Sequence, residues 1–141
     1  MKFSKLVAGT MSWGAWGRRF NSLDMQRQIE NTVGLGISTF DHADIYGGYT
    51  TESAFGAAFS KTNISRSRIQ LISKCGIQLQ TPNRSNRLKH YNCSKNYIIS
   101  SAEASLKHLK TDYLDLLLIH RPSPLMDPHD IMEAVQYLKK E

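Results

Sequence analysis

The sequence lacks any long apolar run, since no stretch approaches the roughly 20 apolar residues that a membrane-spanning helix needs. Cysteine is also scarce: Cys75 and Cys93 fit neither a metal-ligand motif nor a disulfide-dense scaffold. We therefore expect no membrane partner, no bound metal and two reduced thiols of a cytoplasmic protein. Gly9 and the polar residues after it interrupt the first apolar segment, which argues against a signal peptide.

Negative charge is in short supply as well. Twelve acidic residues stand against 18 basic ones, which gives a net charge of +6 over 141 residues. Such an excess can favour nucleic acid, a membrane surface or a phosphorylated cofactor. The basic residues are spread along the chain apart from one cluster, Arg84, Arg87, Lys89 and His90. A solvated loop accounts for that cluster, and we expect no nucleic-acid partner.

The remaining composition is that of a globular protein. Apolar residues make up 40% of the chain and charged residues 21%, which is not the pattern of a disordered chain. The length of 141 residues suits one domain with its own core.

Short apolar runs alternate with segments of helical periodicity. We predict four strands, each followed by a helix, near residues 5–10, 37–41, 69–75 and 113–119. Asn21, Ser94 and Asp127 stand where side-chain caps would begin helices, and Pro128 suits a first helical position. The fourth run is nearly all apolar, so we expect both of its faces to be covered. The last helix has no stop signal before the chain ends.

The order of these units indicates an α/β fold with parallel strands and crossover helices. Open doubly wound sheets and closed (β/α)₈ TIM barrels both show this order. No G-x-G-x-x-G motif follows the first strand, which weakens the case for a dinucleotide-binding doubly wound sheet. A complete barrel needs roughly 250 residues, so this chain accommodates about half of one, as four β/α units. The missing stop signal favours a chain that is cut short.

Polar side chains stand where the predicted strands end. Asp41 closes the second strand and Tyr46 lies five residues on, while Lys74 and His120 lie at the ends of the third and fourth. Each has an ordinary explanation alone: an ion pair, a turn residue, a half-buried aromatic or a core histidine. The carboxyl ends of parallel strands meet on one rim, so we expect the four to converge. A lysine inside an apolar strand also needs a partner.

Four segments together resemble the aldo-keto reductase family. FDHADIYGGYTTESAFG is similar to the family's aspartate segment, with a tyrosine five residues later and a downstream glutamate and glycine. LISKCG resembles its lysine strand, DYLDLLLIHRP its histidine strand, and AGTMSWG its first strand and loop. The segments follow the family's order and cover essentially the whole chain. The resemblance implies that residues 1–141 form the N-terminal half of a (β/α)₈ barrel, apparently truncated.

The resemblance also implies roles for the four rim residues. Tyr46 would be the general acid that protonates a carbonyl oxygen, and the cation of Lys74 would stabilise its phenolate form. Asp41 would orient and balance Lys74, and His120 would position the substrate carbonyl. The hydride would come from a nicotinamide, usually NADPH in this family.

Further site residues are implied by the same resemblance. Gly9, Thr10 and Met11, together with Asp41, would contact the cofactor. Trp13 would join Tyr46 and His120 in contacting a small carbonyl substrate, although Trp13 and Trp16 could equally be packing residues under a barrel loop.

The chain's length leaves three functional hypotheses open. The first is an NADPH-dependent reductase of aldehydes and ketones whose chain is a fragment with little or no activity alone. The second is a half-barrel that becomes active by pairing with itself or with a C-terminal half-barrel. The third is a non-catalytic half-barrel that binds a partner, with the loop around residues 84–90 facing an anionic one.

Overall fold

In the computed structural model, which describes residues 2–140, short strands alternate with helices along the chain. In chain order the strands are β1 (Val7–Gly9), β2 (Thr39–Asp41), β3 (Gln70–Cys75), β4 (Ile77–Gln78), β5 (His90–Tyr91) and β6 (Leu116–Ile119). The helices are α1 (Ser22–Gly34), α2 (Tyr46–Tyr49), α3 (Thr51–Phe59), α4 (Lys95–Leu109) and α5 (Pro128–Leu138).

Strands β1, β2, β3 and β6 form one parallel sheet in that order. Gly9 lies opposite Asp41, Asp41 opposite Ile72, and Lys74 opposite Leu118. Residues that lie side by side in a sheet share a face, and the face alternates along each strand. All five residues therefore lie on one face, and the helices pack on the other. The predicted parallel β/α fold of half-barrel type is confirmed.

The four sheet strands are shorter than predicted, and at two of their starts side chains take over the pairing. Ser4 Oγ accepts the backbone N–H groups of Ser38 at 3.2 Å and Thr39 at 3.0 Å, so β2 begins at Thr39 rather than residue 37. Asp115 Oδ2 accepts the N–H of Leu71 at 2.8 Å, so the fourth strand begins one residue later, not at residue 113.

The expectation that the fourth strand is covered on both faces is wrong. Leu117 and Ile119 pack against the cluster formed with helices α4 and α5. Leu116 and Leu118, on the opposite face, remain 36% and 38% exposed. The described part of the chain supplies helices on one side of the sheet only, so this apolar strand keeps an open face.

Two of the three predicted caps form as expected. Asn21 Oδ1 accepts two backbone N–H groups at 2.9 Å in the first turn of α1, and Asp127 Oδ1 accepts one at 2.8 Å with Pro128 at the first position. Ser94 occupies the cap position of α4, but its side chain makes no capping hydrogen bond. Its own N–H is instead held by Asn92 Oδ1 at 3.1 Å.

The remaining elements differ from the sequence prediction in two respects. Helix α5, which has no stop signal, ends at Leu138. Strands β4 and β5 pair antiparallel within Gly76–Cys93, a segment predicted to be a loop. Each of these strands has two residues, which is too short to show a two-residue periodicity.

The core lies between the sheet and the helices. Phe40, Phe55 and Leu109 are fully buried there. A Cβ at Gly56 would lie 2.8 Å from the Leu109 Cα, so α3 and α4 can approach this closely only at a glycine. Among residues 2–140, no helix is long and apolar enough to cross a membrane.

Candidate active site

Lys74 lies at the centre of the rim formed by the strand ends. Its Nζ atom donates hydrogen bonds to Asp41 Oδ2 at 2.7 Å, the His42 carbonyl at 2.8 Å and Tyr46 Oη at 3.0 Å. These three acceptors match the three hydrogens of an ammonium group. The Lys74 side chain is 14% exposed and that of Asp41 is 27% exposed, so the ion pair is largely shielded from solvent. A buried cation of this kind needs such partners.

A tight turn places Tyr46 beside Lys74. Gly47 and Gly48, immediately after it, have φ angles of 63° and 67°, in the left-handed region where glycine is favoured. A Cβ at Gly47 would also meet Thr51 Oγ1 at 2.5 Å. The turn buries the tyrosine ring to 7% exposure and leaves Lys74 Nζ 4.9 Å from the ring centroid.

His120 completes the group at the end of β6. Its backbone N–H donates to the Cys75 carbonyl at 2.8 Å. Its ring stands edge-on to the Tyr46 ring, with centroids 5.9 Å apart and planes at 81°. Burial first, and then the cation of Lys74, lower the pKa of the imidazole, which favours its neutral form. The structure thus brings the four predicted rim residues together.

The two tryptophans of the first loop have different environments. Trp13 is 8% exposed and lies in the core beside Phe40 and Phe55. Its side chain therefore packs mainly against the core, and the substrate contact that the resemblance implies for it stays a prediction. Trp16 is 47% exposed and lies 6.3 Å from the Tyr46 ring, between centroids. The sequence alone does not show which of the two tryptophans in this loop is buried and which is exposed.

The residues expected to contact the cofactor also differ in their exposure. Gly9 lies opposite Asp41, and a Cβ added to it would meet nothing within 4 Å, so its surroundings are open. Met11 is 52% exposed. Thr10 is fully buried, and its Oγ1 lies 2.9 Å from both the Asp41 carbonyl and His42 Nδ1. The Thr10 hydroxyl is therefore occupied inside the protein.

Asp44 is a polar residue whose environment the sequence did not reveal. Its Oδ2 atom accepts from Tyr97 Oη at 2.9 Å and Ser101 Oγ at 3.0 Å, both on α4. Its N–H donates to the Lys74 carbonyl at 3.0 Å. Burial raises the pKa of the Asp44 carboxyl to about 6, although the two hydrogen bonds oppose this. Its two side-chain partners lie more than fifty residues away in sequence, so no local signal indicates them.

The remaining candidate groups are the basic cluster, the two cysteines and possible metal ligands. All four residues of the basic cluster (Arg84, Arg87, Lys89 and His90) are exposed, and the Arg84 guanidinium stacks 4.3 Å from the Tyr49 ring centroid. Cys75 and Cys93 are buried free thiols. Within residues 2–140, no group of three or more histidine, cysteine, aspartate or glutamate side chains could hold a metal ion.

Comparison with known proteins identifies the family that the chain resembles. The model of the Aldo/keto reductase family matches residues 5–141. The chain is 47% identical to the uncharacterised oxidoreductase YcsN of Bacillus subtilis over 140 residues, covering 99% of this chain and 46% of YcsN. It is 43% identical to a 6-dehydroglucose reductase of Agrobacterium fabrum over 115 residues, covering 81% of this chain and 39% of that protein.

A solved structure has a similar fold. The holo form of aldo-keto reductase AKR11C1 from Bacillus halodurans matches with a TM-score of 0.81 and 28% identity, over 98% of this chain and 43% of that one. The chain therefore spans less than half the length of these relatives. The sheet order and these matches agree, and the chain belongs to the aldo/keto reductase family of oxidoreductases.

Proposed function

We propose that this chain carries the acid–base half of an aldo-keto reductase that reduces aldehydes or ketones to alcohols with NADPH. The observation that carries the proposal is the hydrogen-bonded series Asp41, Lys74 and Tyr46, with distances of 2.7 and 3.0 Å. An ammonium held by a carboxylate and directed at a phenol is suited to general acid catalysis by that phenol.

Tyr46 is the proposed proton donor. Its Oη atom accepts a hydrogen bond from Lys74, so the hydroxyl hydrogen remains available to a substrate oxygen. The carbonyl carbon gains a hydride and its oxygen gains the Tyr46 proton, which together give the alcohol. Lys74 stabilises the phenolate until solvent returns the proton. Asp41 keeps the ammonium in place.

His120 is proposed to orient the substrate. Its neutral ring can donate one hydrogen bond, and it stands beside the Tyr46 ring. A carbonyl oxygen that contacts both side chains would be held for protonation. Trp16, exposed beside Tyr46, would provide an apolar wall for the rest of the substrate.

The rim also suits the flat end of a nicotinamide cofactor. Gly9 places no side chain over the strand end that carries Asp41, and the space around it is open. Gly9, Met11 and Asp41 would line this end of the cofactor, with Thr10 contributing through its backbone. The bound nicotinamide would supply the hydride. Its phosphates would be held by sequence that corresponds to the other half of the relatives.

The activity is proposed to require a second half-barrel. Leu116 and Leu118 leave the inner face of the sheet open, and contacts from another half would cover it. A second copy of this chain or a C-terminal half-barrel could supply them. An inactive half-barrel that only binds a partner is the alternative that this open face also supports. The buried free Cys75 and Cys93 support a reducing, cytoplasmic location.

A fusion experiment separates these possibilities. Residues 1–140 would be joined to the C-terminal half of YcsN, and NADPH oxidation would be followed with a panel of aldehydes that includes 6-dehydroglucose. Turnover by the fusion, with none from either half alone, is the expected result. A soluble, folded fusion with no turnover of any aldehyde would contradict the proposal and favour a binding role. Repeating the assay with NADH tests the preference for NADPH.

A further inference from the structure

The His42 side chain lies directly behind the candidate active site. Its ring is fully buried and stands edge-on to Phe55, with centroids 4.4 Å apart. Its Nδ1 atom lies 2.9 Å from Thr10 Oγ1, and its backbone carbonyl accepts the Lys74 hydrogen bond at 2.8 Å. One residue therefore connects the end of β1 with the ammonium group at the end of β3.

The direction of these hydrogen bonds follows from counting hydrogens. The Thr10 hydroxyl has one hydrogen and two neighbours at 2.9 Å, the Asp41 carbonyl and His42 Nδ1. A carbonyl only accepts, so both contacts are satisfied when Thr10 donates to Asp41 and His42 Nδ1–H donates to Thr10. The reverse tautomer would place an N–H on His42 Nε2, which is buried with no hydrogen-bond partner. An orphaned buried donor is costly.

Burial keeps the His42 ring neutral. Burial lowers the pKa of His42 to about 4. Glu52 and Asp41 oppose this shift, and Lys74 adds to it. Glu52 is itself engaged elsewhere, since it accepts from Ser73 Oγ at 2.6 Å. A neutral ring does not repel the neighbouring Lys74 cation.

We propose that His42, as the neutral Nδ1–H tautomer bound to Thr10, is a positioning residue that holds the backbone at Asp41 and His42 and so aims the Lys74 ammonium at Tyr46. The importance of this for turnover rests on the proposed function. The geometry itself does not, because every contact lies within this chain. His42 acts through Lys74 and does not touch the reacting atoms.

The first test uses the isolated chain and needs no catalysis. Nitrogen-15 NMR of the His42 ring at pH 7 distinguishes a protonated Nδ1 from a protonated Nε2. The expected result is a single neutral Nδ1–H form and a nuclear Overhauser contact between the Lys74 side chain and the Tyr46 ring. A ring that is charged, or protonated at Nε2, would overturn the proposal whatever the activity of the completed enzyme.

The second test uses substitutions of His42 that distinguish the effect of the position of the N–H donor from the effect of the volume of the ring. The amide nitrogen of asparagine stands close to the position of Nδ1, whereas that of glutamine stands close to Nε2. We expect His42→Gln and His42→Leu to lose the Lys74–Tyr46 contact and His42→Asn to keep it. Thr10→Val removes the hydroxyl that accepts the hydrogen bond from His42, whereas Thr10→Ser keeps it. This pair of variants replaces His42→Leu if that variant does not fold.

The third test uses the fused, completed barrel. His42→Gln should lower kcat about tenfold, the effect of one net hydrogen bond, while KM changes little. His42→Asn should recover most of that loss, and His129→Asn, at an exposed histidine, is the matched control. Equal losses in the asparagine and glutamine variants would refute the positioning role. A fusion with no turnover at all would refute the proposed function while the NMR result still decides this inference.

Discussion

The Lys74 Nζ atom lies 3.0 Å from the Tyr46 phenolic oxygen and donates the hydrogen bond between them. The direction of this bond matters because the Tyr46 hydroxyl hydrogen is not used in the contact with Lys74. A phenol that accepts from a cation and keeps its own hydrogen is prepared to give that hydrogen to a carbonyl oxygen. Two contacts on the far side of Lys74, with Asp41 and the His42 carbonyl, hold the cation in that orientation.

Removal of the Tyr46 hydroxyl should abolish most of the turnover in the completed barrel. Tyr46→Phe keeps the ring that packs against His120 and Trp16, so the fold should change little. It removes the proton donor, and general acid catalysis typically contributes about 10²–10⁴-fold. The check is steady-state NADPH oxidation by the fusion protein with and without the substitution. A Phe variant that keeps most of its kcat would exclude Tyr46 as the acid.

Replacement of Asp44 by asparagine should stabilise the chain by an amount that grows as pH rises from 3.8 to about 6 and persists at higher pH. The folded pKa of about 6 exceeds the ordinary value of 3.8, so the folded chain retains a proton that the unfolded chain releases. Stability therefore falls as pH rises from 3.8 to about 6, and the cost persists above that range. Asparagine is neutral like the protonated acid and can accept from Tyr97 and Ser101.

The measurement for Asp44 is thermal or urea unfolding of wild type and Asp44→Asn at several pH values. We expect a gain on the order of 2 kcal/mol at pH 7.5 that shrinks toward zero near pH 4. Asp112→Asn, at an exposed aspartate, is the control for the change in net charge. A gain that is the same at both pH values would contradict burial as the cause.

The isolated chain should bind NADPH weakly or not at all. The described rim offers open space beside Gly9, but the charge-assisted contacts to the phosphates are proposed to come from the other half. Fluorescence of Trp16, which is exposed beside Tyr46, reports binding, and a Trp16→Phe variant corrects for the buried Trp13. Saturable quenching with a micromolar midpoint would show that this chain assembles a cofactor site by itself.

The open face of β6 should make the isolated chain associate. Leu116 and Leu118 present an apolar surface on the face that no described helix covers. We expect Leu118→Ser to reduce the apparent mass in light scattering at a given concentration. Leu35→Ser removes a leucine that is 80% exposed outside the sheet and serves as the control. Equal effects of the two substitutions would show that association does not use the sheet.

Much of the architecture could be predicted because it depends on local rules. Asn21 and Asp127 cap helices through contacts two or three residues away, and these are visible in the sequence. The convergence of Asp41, Lys74 and His120 follows from the shared direction of parallel strands. The same logic brings Tyr46 within reach, because the glycine turn lies next to β2.

What escaped prediction depends on contacts between distant segments. The starts of β2 and β6 were set by Ser4 and Asp115, whose side chains replace backbone pairing with residues over thirty positions away. The burial of Asp44 was set by α4, and the inward position of Trp13 by the aromatic core. The exposure of Leu118 depends on which elements cover the sheet, and composition does not specify that.

The complete engagement of Lys74 has a chemical consequence. All three ammonium hydrogens have acceptors, and only 14% of the side chain reaches solvent. Amine-selective acylating reagents attack the unprotonated, accessible nitrogen, so this lysine is shielded while surface lysines such as Lys139 are modified. The extent of its acylation, read by peptide mass spectrometry, therefore reports whether the rim is assembled, without any substrate being known.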